Sequence, residues 1–373
     1  MRLTASSRPD LAISVREIEM QARARVEALG RECLPNATRD GPYLKAGSIG
    51  GERGSSLVLN LQGANRGMWR DWSAAKGTPG AEGDMIVLVE QTKFGGDRGK
   101  AVQWLKSWLG LDHLDPGRVA QVRAEVAQAD ADAEAEAKRE AEAKKRGARA
   151  LWMNGSESIA DTPAGHYLTG RGIQVDALGH WPGTLRFHSE VWNRDAGVKL
   201  PCMVAQMILP DGSHVATHRT WLGREPGTRR WVKADGADLG VPKGQAKKVL
   251  GKSGGAFVPL RKGASQHSMG TMRRPETIYV AEGIEDALTV AMVKPEARVV
   301  AAYSLGNLGA IQFPAAVQTI VIVADRDDNI REQDALERAI AKQQARGHRV
   351  QIVMPPVGFK DMNAWLQATG VAA

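Results

Sequence analysis

The chain has 373 residues, 43% of them hydrophobic, enough for two or three domains with cores of their own. Its 50 Lys and Arg against 42 Asp and Glu leave a net charge of +8, which favours an anionic partner such as nucleic acid. Only Cys33 and Cys202 occur, too few for a disulfide framework; with no apolar run of membrane-spanning length and no signal-peptide core, a soluble cytoplasmic protein is expected.

In the first hundred residues Ser14 and Glu17 form a capping box, and Val15, Ile18, Val26 and Leu29 give a loosely amphipathic helix expected to end at Gly30. After a Pro- and Gly-rich turn region come a strand over 56–61, the segment Met68-Trp69-Arg70-Asp71-Trp72, and Gly83-Asp84 leading into the apolar run 85–89. A helix around 98–109 follows. Trp69 and Trp72, flanked by Arg66 and Arg70, admit two readings: core residues, or platforms that stack the bases of single-stranded DNA. Trp104 and Trp108, one helical turn apart, admit the same two. A zinc ribbon needs four Cys or His at paired spacing, and only Cys33 precedes His113, so no structural zinc is expected. Burial of the tryptophans can stand in for the metal.

Between 118 and 150 the composition shifts to Ala, Glu, Lys and Arg, with Glu134–Lys138 and Glu140–Lys144 as i,i+4 pairs of the favourable order. This predicts a solvated helical linker that, unbroken, would hold its neighbours roughly 50 Å apart at 1.5 Å per residue. The middle stretch carries Gly165-His166-Tyr167-Leu168, Arg171-Gly172-Ile173 and Leu185-Arg186-Phe187-His188. A hairpin is predicted to join Met203–Leu209 to Val215–Trp221 across Pro210-Asp211-Gly212. Basic residues gather here: Arg219, Arg229, Arg230, Lys233, Lys243, Lys247, Lys248 and Lys252. They are candidates for holding nucleotide phosphates and a nucleic-acid backbone, against the alternative of a solvated basic face. Gly251-Lys252-Ser253 ends like a P-loop, but Ala246 stands where the earlier glycine is required and no helix signal follows. No ATPase motif is present, so any helicase is expected to be a separate protein.

The C-terminal segment alternates strands and helices: strand 277–281, helix 284–293, strand 298–303, short helix near 305–311, strand 319–324, helix 331–346, strand 349–354, helix 361–369. That order implies a parallel sheet whose ligands lie beyond the carboxyl ends of its strands. Glu282, Asp325 and Asp327 fall at those ends. Carboxylates on an open rim suit Mg²⁺, which shares its shell between one or two acids, waters and substrate phosphates.

Glu282-Gly283-Ile284-Glu285-Asp286, Asp325-Arg326-Asp327 and Lys360-Asp361-Met362-Asn363 together resemble the Toprim domain of bacterial primases, topoisomerases and some nucleases. In the primase branch Asp286 would match a further acid and Asp361 a metal ligand, while Asn363 stands where that branch often has an aspartate. The N-terminal segment, with Cys33-Leu34-Pro35-Asn36 and Gly47-Ser48-Ile49-Gly50-Gly51, is similar to metal-free versions of the module at the front of phage primases. The resemblance implies an α/β protein in which a Toprim parallel sheet flanked by helices (276–373) follows an α+β primase-core subdomain (151–275). A charged linker (116–150) and a small α+β ribbon-like module (1–115) precede them.

It further implies a phage or mobile-element DNA primase that makes RNA primers on single-stranded DNA from NTPs. Mg²⁺ or Mn²⁺ would be held by Glu282, Asp325, Asp327, Asp361 and Asp286. The rivals are a Toprim nuclease and a catalytically weak DNA-binding accessory protein.

Overall fold

The structure is a computed structural model and describes residues 13–370 apart from 64, 76, 79, 113, 114 and 328, so His113 lies outside the described residues. The chain divides into two compact units, Met1–Lys138 and Arg139–Ala373.

In the first unit the Ser14 hydroxyl accepts the Glu17 N–H at 3.2 Å, and Glu17 Oε2 accepts the Ser14 N–H at 2.6 Å, closing the capping box. The single helix expected from the pattern is two, α1 (Val15–Ala24) and α2 (Val26–Cys33), broken at Arg25. Gly30 does not end a helix. It lies inside α2, where a Cβ would come within 2.7 Å of the Leu59 side chain, so its bareness serves close approach of helix and sheet.

Five antiparallel strands follow, β1 (Thr38–Asp40), β2 (Tyr43–Ala46), β3 (Leu57–Asn60), β4 (Trp69–Asp71) and β5 (Glu82–Gly83), paired in sequence order. Period-2 alternation turns Leu44, Ala46, Leu57, Leu59 and Trp69 inward. Asp84 caps α3 (Met85–Phe94) by accepting the Val87 N–H at 2.9 Å, and α4 (Arg98–Trp108) packs beside it.

Trp69 is a core residue, 2% exposed, its indole N–H donating to the Asp84 carbonyl at 2.9 Å. Trp69→Ala is expected to destabilise this unit by about 3–5 kcal/mol. In urea melts of the full chain this should move the transition of the N-terminal unit and leave that of the C-terminal unit in place.

Helix α5 (Pro116–Met153) crosses the boundary between the units, and residues 131–144 are exposed throughout. The charged composition hides anchors at both ends. Val122 is fully buried in the N-terminal core and Arg123 pairs with Glu17 at 3.1 Å. In the second unit Ala148 is buried, its carbonyl accepting the Thr217 hydroxyl at 2.8 Å, and Trp152 donates to the Thr184 carbonyl.

The second unit continues with α6 (Pro163–Gly170) and α7 (Val175–Leu178), then an antiparallel sheet. Its strands are β6 (Leu185–Asn193), β7 (Val198–Ile208), β8 (His214–Arg224), β9 (Trp231–Lys233) and β10 (Lys247–Gly251), in the order β10-β8-β7-β6 with β9 on β8. The hairpin across residues 210–212 is present, with Gly212 at φ +89°.

A second sheet has the order β11-β13-β12-β14-β15. In it β12 (Glu276–Ala281), β13 (Arg298–Ala301), β14 (Val317–Val323) and β15 (Arg349–Val353) run parallel, and β11 (Val258–Lys262) is an antiparallel edge. Helices α8 (Ile284–Val293), α9 (Leu305–Leu308), α10 (Ile330–Ala345) and α11 (Met362–Thr369) complete it. The fold is mixed α/β, and each element expected over 277–369 is present within about three residues. Strand β11 comes from the stretch expected to belong wholly to the middle subdomain.

The central strands β12, β13 and β14 are covered on both faces, which is why they are largely apolar, whereas the edge strand β15 is mostly exposed. On one side Ile278, Val280, Ile320 and Ile322 pack with Ala339 of α10. On the other, Ala281 and Val323 join Ala287, Leu288 and Leu366 with Met203, Ala205 and Leu222 of the antiparallel sheet. The carboxyl edge of the parallel strands therefore meets the inner face of β7, β8 and β10.

Candidate active site

Strands β12 and β14 are neighbours, with Ala281 opposite Val323, so Glu282 and Asp325 emerge side by side at the carboxyl edge. Both line a cleft of about 420 Å³ together with Glu285, Asp286 and Asp361. Both also line a wider one of about 880 Å³ that holds Asp327 and Glu332.

Local bonds set each acid. Asp286, in the first turn of α8, accepts the Asn363 N–H at 2.9 Å. Asp361 caps α11, accepting the Ala364 N–H at 2.6 Å. Asp327 accepts the Asn329 N–H at 2.9 Å. Arg326 ties this loop to the one before α11, donating its backbone N–H to the Lys360 carbonyl at 2.7 Å and its guanidinium to the Pro355 carbonyl at 2.6 Å.

The acids strain against one another. Burial, offset in part by the Asn363 N–H, and the charges of Asp361, Asp325 and Glu285 push Asp286 up to about 7. Burial, Asp361 and Glu282 push Asp325 up to about 6. Burial and Glu332 also raise Glu282. Hard oxygen donors crowded with too little positive charge fit a divalent cation such as Mg²⁺. Among the described residues no three His, Cys, Asp or Glu are grouped so as to hold an ion by themselves. An ion here would take one or two carboxylates and complete its shell from water and phosphate.

Basic groups line the same cleft: Lys247 of β10 and Lys233 of β9, with Arg171, and Lys360 beside Asp361. The Lys247 ammonium lies 3.1 Å from Glu285 Oε2, and the Tyr167 hydroxyl donates to Glu285 Oε1 at 2.5 Å. Burial alone would raise the Glu285 carboxyl, but the Lys247 charge and the Tyr167 bond more than reverse it and hold the group far below the usual range. Burial and Lys247 push His218 down to about 3, so it stands in the cleft wall as a neutral ring.

With this geometry in view, residues 277–372 match a family model described as a Toprim domain, and residues 142–260 match one described as a domain of unknown function (DUF7146). The C-terminal segment carries a Toprim domain. Among solved structures the chain is similar to the zinc-binding and RNA polymerase domains of the Aquifex aeolicus primase, at 15% identity over 95% of this chain and 82% of that one, with a TM-score of 0.37. It is also similar to the primase fragment of the bacteriophage T7 primase-helicase protein, at 18% identity over 54% of this chain and 69% of that one, with a TM-score of 0.35. Comparison with the curated proteins finds no match.

Not every candidate residue reaches the Toprim cleft. Lys248 follows Lys247 on β10, faces the opposite side and pairs with Asp195. Arg219 shares that outer face, its guanidinium 4.9 Å from the Trp221 ring centroid. Arg230 donates to the Gly170 carbonyl at 3.1 Å and, with Lys233, lines a side pocket of about 270 Å³. Arg229 and Lys252 are exposed away from the cleft lining. In the N-terminal unit Trp69 is closed off in the core, whereas Trp72 is 67% exposed with the Arg70 guanidinium 4.3 Å from its ring centroid.

Asn363 takes a role other than a ligand's. It is fully buried, and its amide donates to the Arg171 carbonyl at 2.9 Å and the Thr289 hydroxyl at 3.1 Å. A carboxylate could make neither bond. Glu285, Tyr167 and His218 carried no signal as site residues, because the partners of Glu285 lie 38 and 118 positions away in the chain.

Proposed function

We propose that the protein is a DNA primase of phage or mobile-element type, making short RNA primers on single-stranded DNA by nucleotidyl transfer. The supporting observation is one cleft that gathers acids at the ends of β12 and β14 with Lys247, Lys233, Arg171 and Lys360. In this reading residues 1–115 form a metal-free template module, 116–150 a linker, and 151–275 with 276–373 the catalytic core. A helicase would act as a separate partner.

One or two carboxylates from among Glu282, Asp325, Asp327, Asp361 and Asp286 would hold Mg²⁺ or Mn²⁺, with water and phosphate completing the shell. When bound, the cation stabilises charge developing on the transferred phosphoryl group. Lys247, steered by Glu285, and Lys233 bind the triphosphate oxygens of the incoming NTP. The 3′-hydroxyl of the primer attacks the α-phosphate, Glu282 accepts its proton, and pyrophosphate leaves.

Pyrophosphate release tests the reaction class. With single-stranded DNA, four NTPs and Mg²⁺, release should depend on both nucleic acid and NTPs. Shortening of the DNA without NTPs, and no pyrophosphate, would assign a nuclease instead.

A further inference from the structure

We propose that Tyr303 is the platform on which the nucleobase of the incoming nucleotide stacks, an inference that rests on the nucleotidyl-transfer reading above. Tyr303 directly follows the end of β13 and Ala302, and has φ +73°, in the left-handed region that bulky side chains avoid. Its surroundings hold it there. The Tyr303 N–H donates to the Glu282 carbonyl at 3.0 Å, and the next residue, Ser304, caps α9 by accepting the Asn307 N–H at 3.2 Å. Glycine would take this backbone without strain, so the tyrosine is kept at a cost, and such costs gather at functional positions.

The strained backbone sets the ring on the wall of the cleft that holds Glu282, Asp325 and Lys247. Its orientation is fixed by an edge contact with His218, ring centroids 5.5 Å apart and planes at 67°. His218 is itself buried, whereas Tyr303 is only half-buried, and the Tyr303 hydroxyl makes no hydrogen bond among the described residues. Part of the ring packs on the core of this unit, and the rest of the side chain is open to the cleft.

The rest of the cleft is chemically one-sided. Carboxylates suit a cation and ammonium groups suit phosphate, and both would recognise a bare triphosphate as well as a nucleotide. Stacking on an aromatic face is the interaction missing from such a site, and among the cleft-lining residues Tyr303 offers the accessible ring.

The test compares ATP with inorganic tripolyphosphate, each with Mg²⁺, by calorimetric titration of the full-length wild type, Tyr303→Phe and Tyr303→Gly. Glycine relieves the backbone but removes the ring's packing on the core, so the variant is titrated well below the onset of its own melting transition. Wild type should bind ATP more tightly than tripolyphosphate. Tyr303→Gly should weaken ATP binding roughly 10- to 100-fold and leave tripolyphosphate unchanged, while Tyr303→Phe keeps ATP affinity. Equal losses for both ligands, or ATP binding by Tyr303→Gly at wild-type strength, would overturn the platform. Wild type binding ATP no better than tripolyphosphate would also overturn it while leaving the phosphate-binding cleft intact. Wild type binding neither ligand would remove both.

Discussion

Asp325→Asn should make the protein more stable and less active at once. Asp325 and Asp286 titrate at about 6 and about 7 in the folded chain, above the ordinary aspartate value of 3.8. Between the two limits the folded state binds more protons than the unfolded state, so stability falls as the pH rises from about 4 to about 7. Removing one of the repelling carboxylates should relieve that loss. At pH 8 with chelator, Asp325→Asn should gain about 1–2 kcal/mol, a reduced value because the side chain keeps part of its solvent. The melting temperature of the C-terminal unit should rise by roughly 2–6 °C. Adding Mg²⁺ should stabilise wild type more than the variant, and nucleotidyl transfer should fall by about 10²–10³-fold. A lower melting temperature in chelator would instead give Asp325 a role in holding the fold.

Lys247→Met should cost both stability and phosphate binding, by a different route. It strips the ammonium from Glu285, a side chain only 5% exposed, and leaves a buried charge with Tyr167, a backbone hydrogen bond and the more distant Lys233. The expected loss is about 3 kcal/mol, the low end for breaking a buried pair, because Lys247 itself is 32% exposed. Glu285→Gln in the same chain should recover much of the stability without restoring nucleotide affinity. Lys248→Met should do little to either, since Lys248 faces away toward Asp195.

Acid tests the same pair. The folded value of Glu285 lies below its ordinary 4.5, so its contribution is complete above that pH and is lost as the pH falls further. Between pH 5 and pH 3 the Glu285→Gln protein should therefore lose less stability than wild type. Thermal melts at the two pH values measure the difference, and parallel losses would contradict the assignment.

The Toprim region was readable because its signals are local. Apolar runs end at Glu282 and Asp325, and Asp361 caps the last helix from the adjacent position. Where a residue answers to a distant one, pattern reading stopped. Gly30 looked like a helix end because its contact, Leu59, is far along the chain. Val122 and Ala148 were lost in a charged run, since their partners in the two cores lie far away in the chain.

The cleft repeats the lesson. Its acidic side follows from strand ends, but its basic side depends on which face of β10 turns inward, and that register separates Lys247 from Lys248. Asn363 had the position of a ligand and the contacts of a core amide. Tyr303 is marked only by its backbone, which no composition or period encodes.

The most direct measurement is a gel assay with labelled NTPs, unlabelled single-stranded templates and Mg²⁺ or Mn²⁺, run on wild type, Glu282→Gln, Asp325→Asn and Asp327→Asn. Short template-dependent RNA from wild type, absent in the three variants while they remain folded and still bind DNA, is the expected result. Wild type that makes no RNA with either metal, or variants that make it at the wild-type rate, would contradict the assignment of this cleft to primer synthesis.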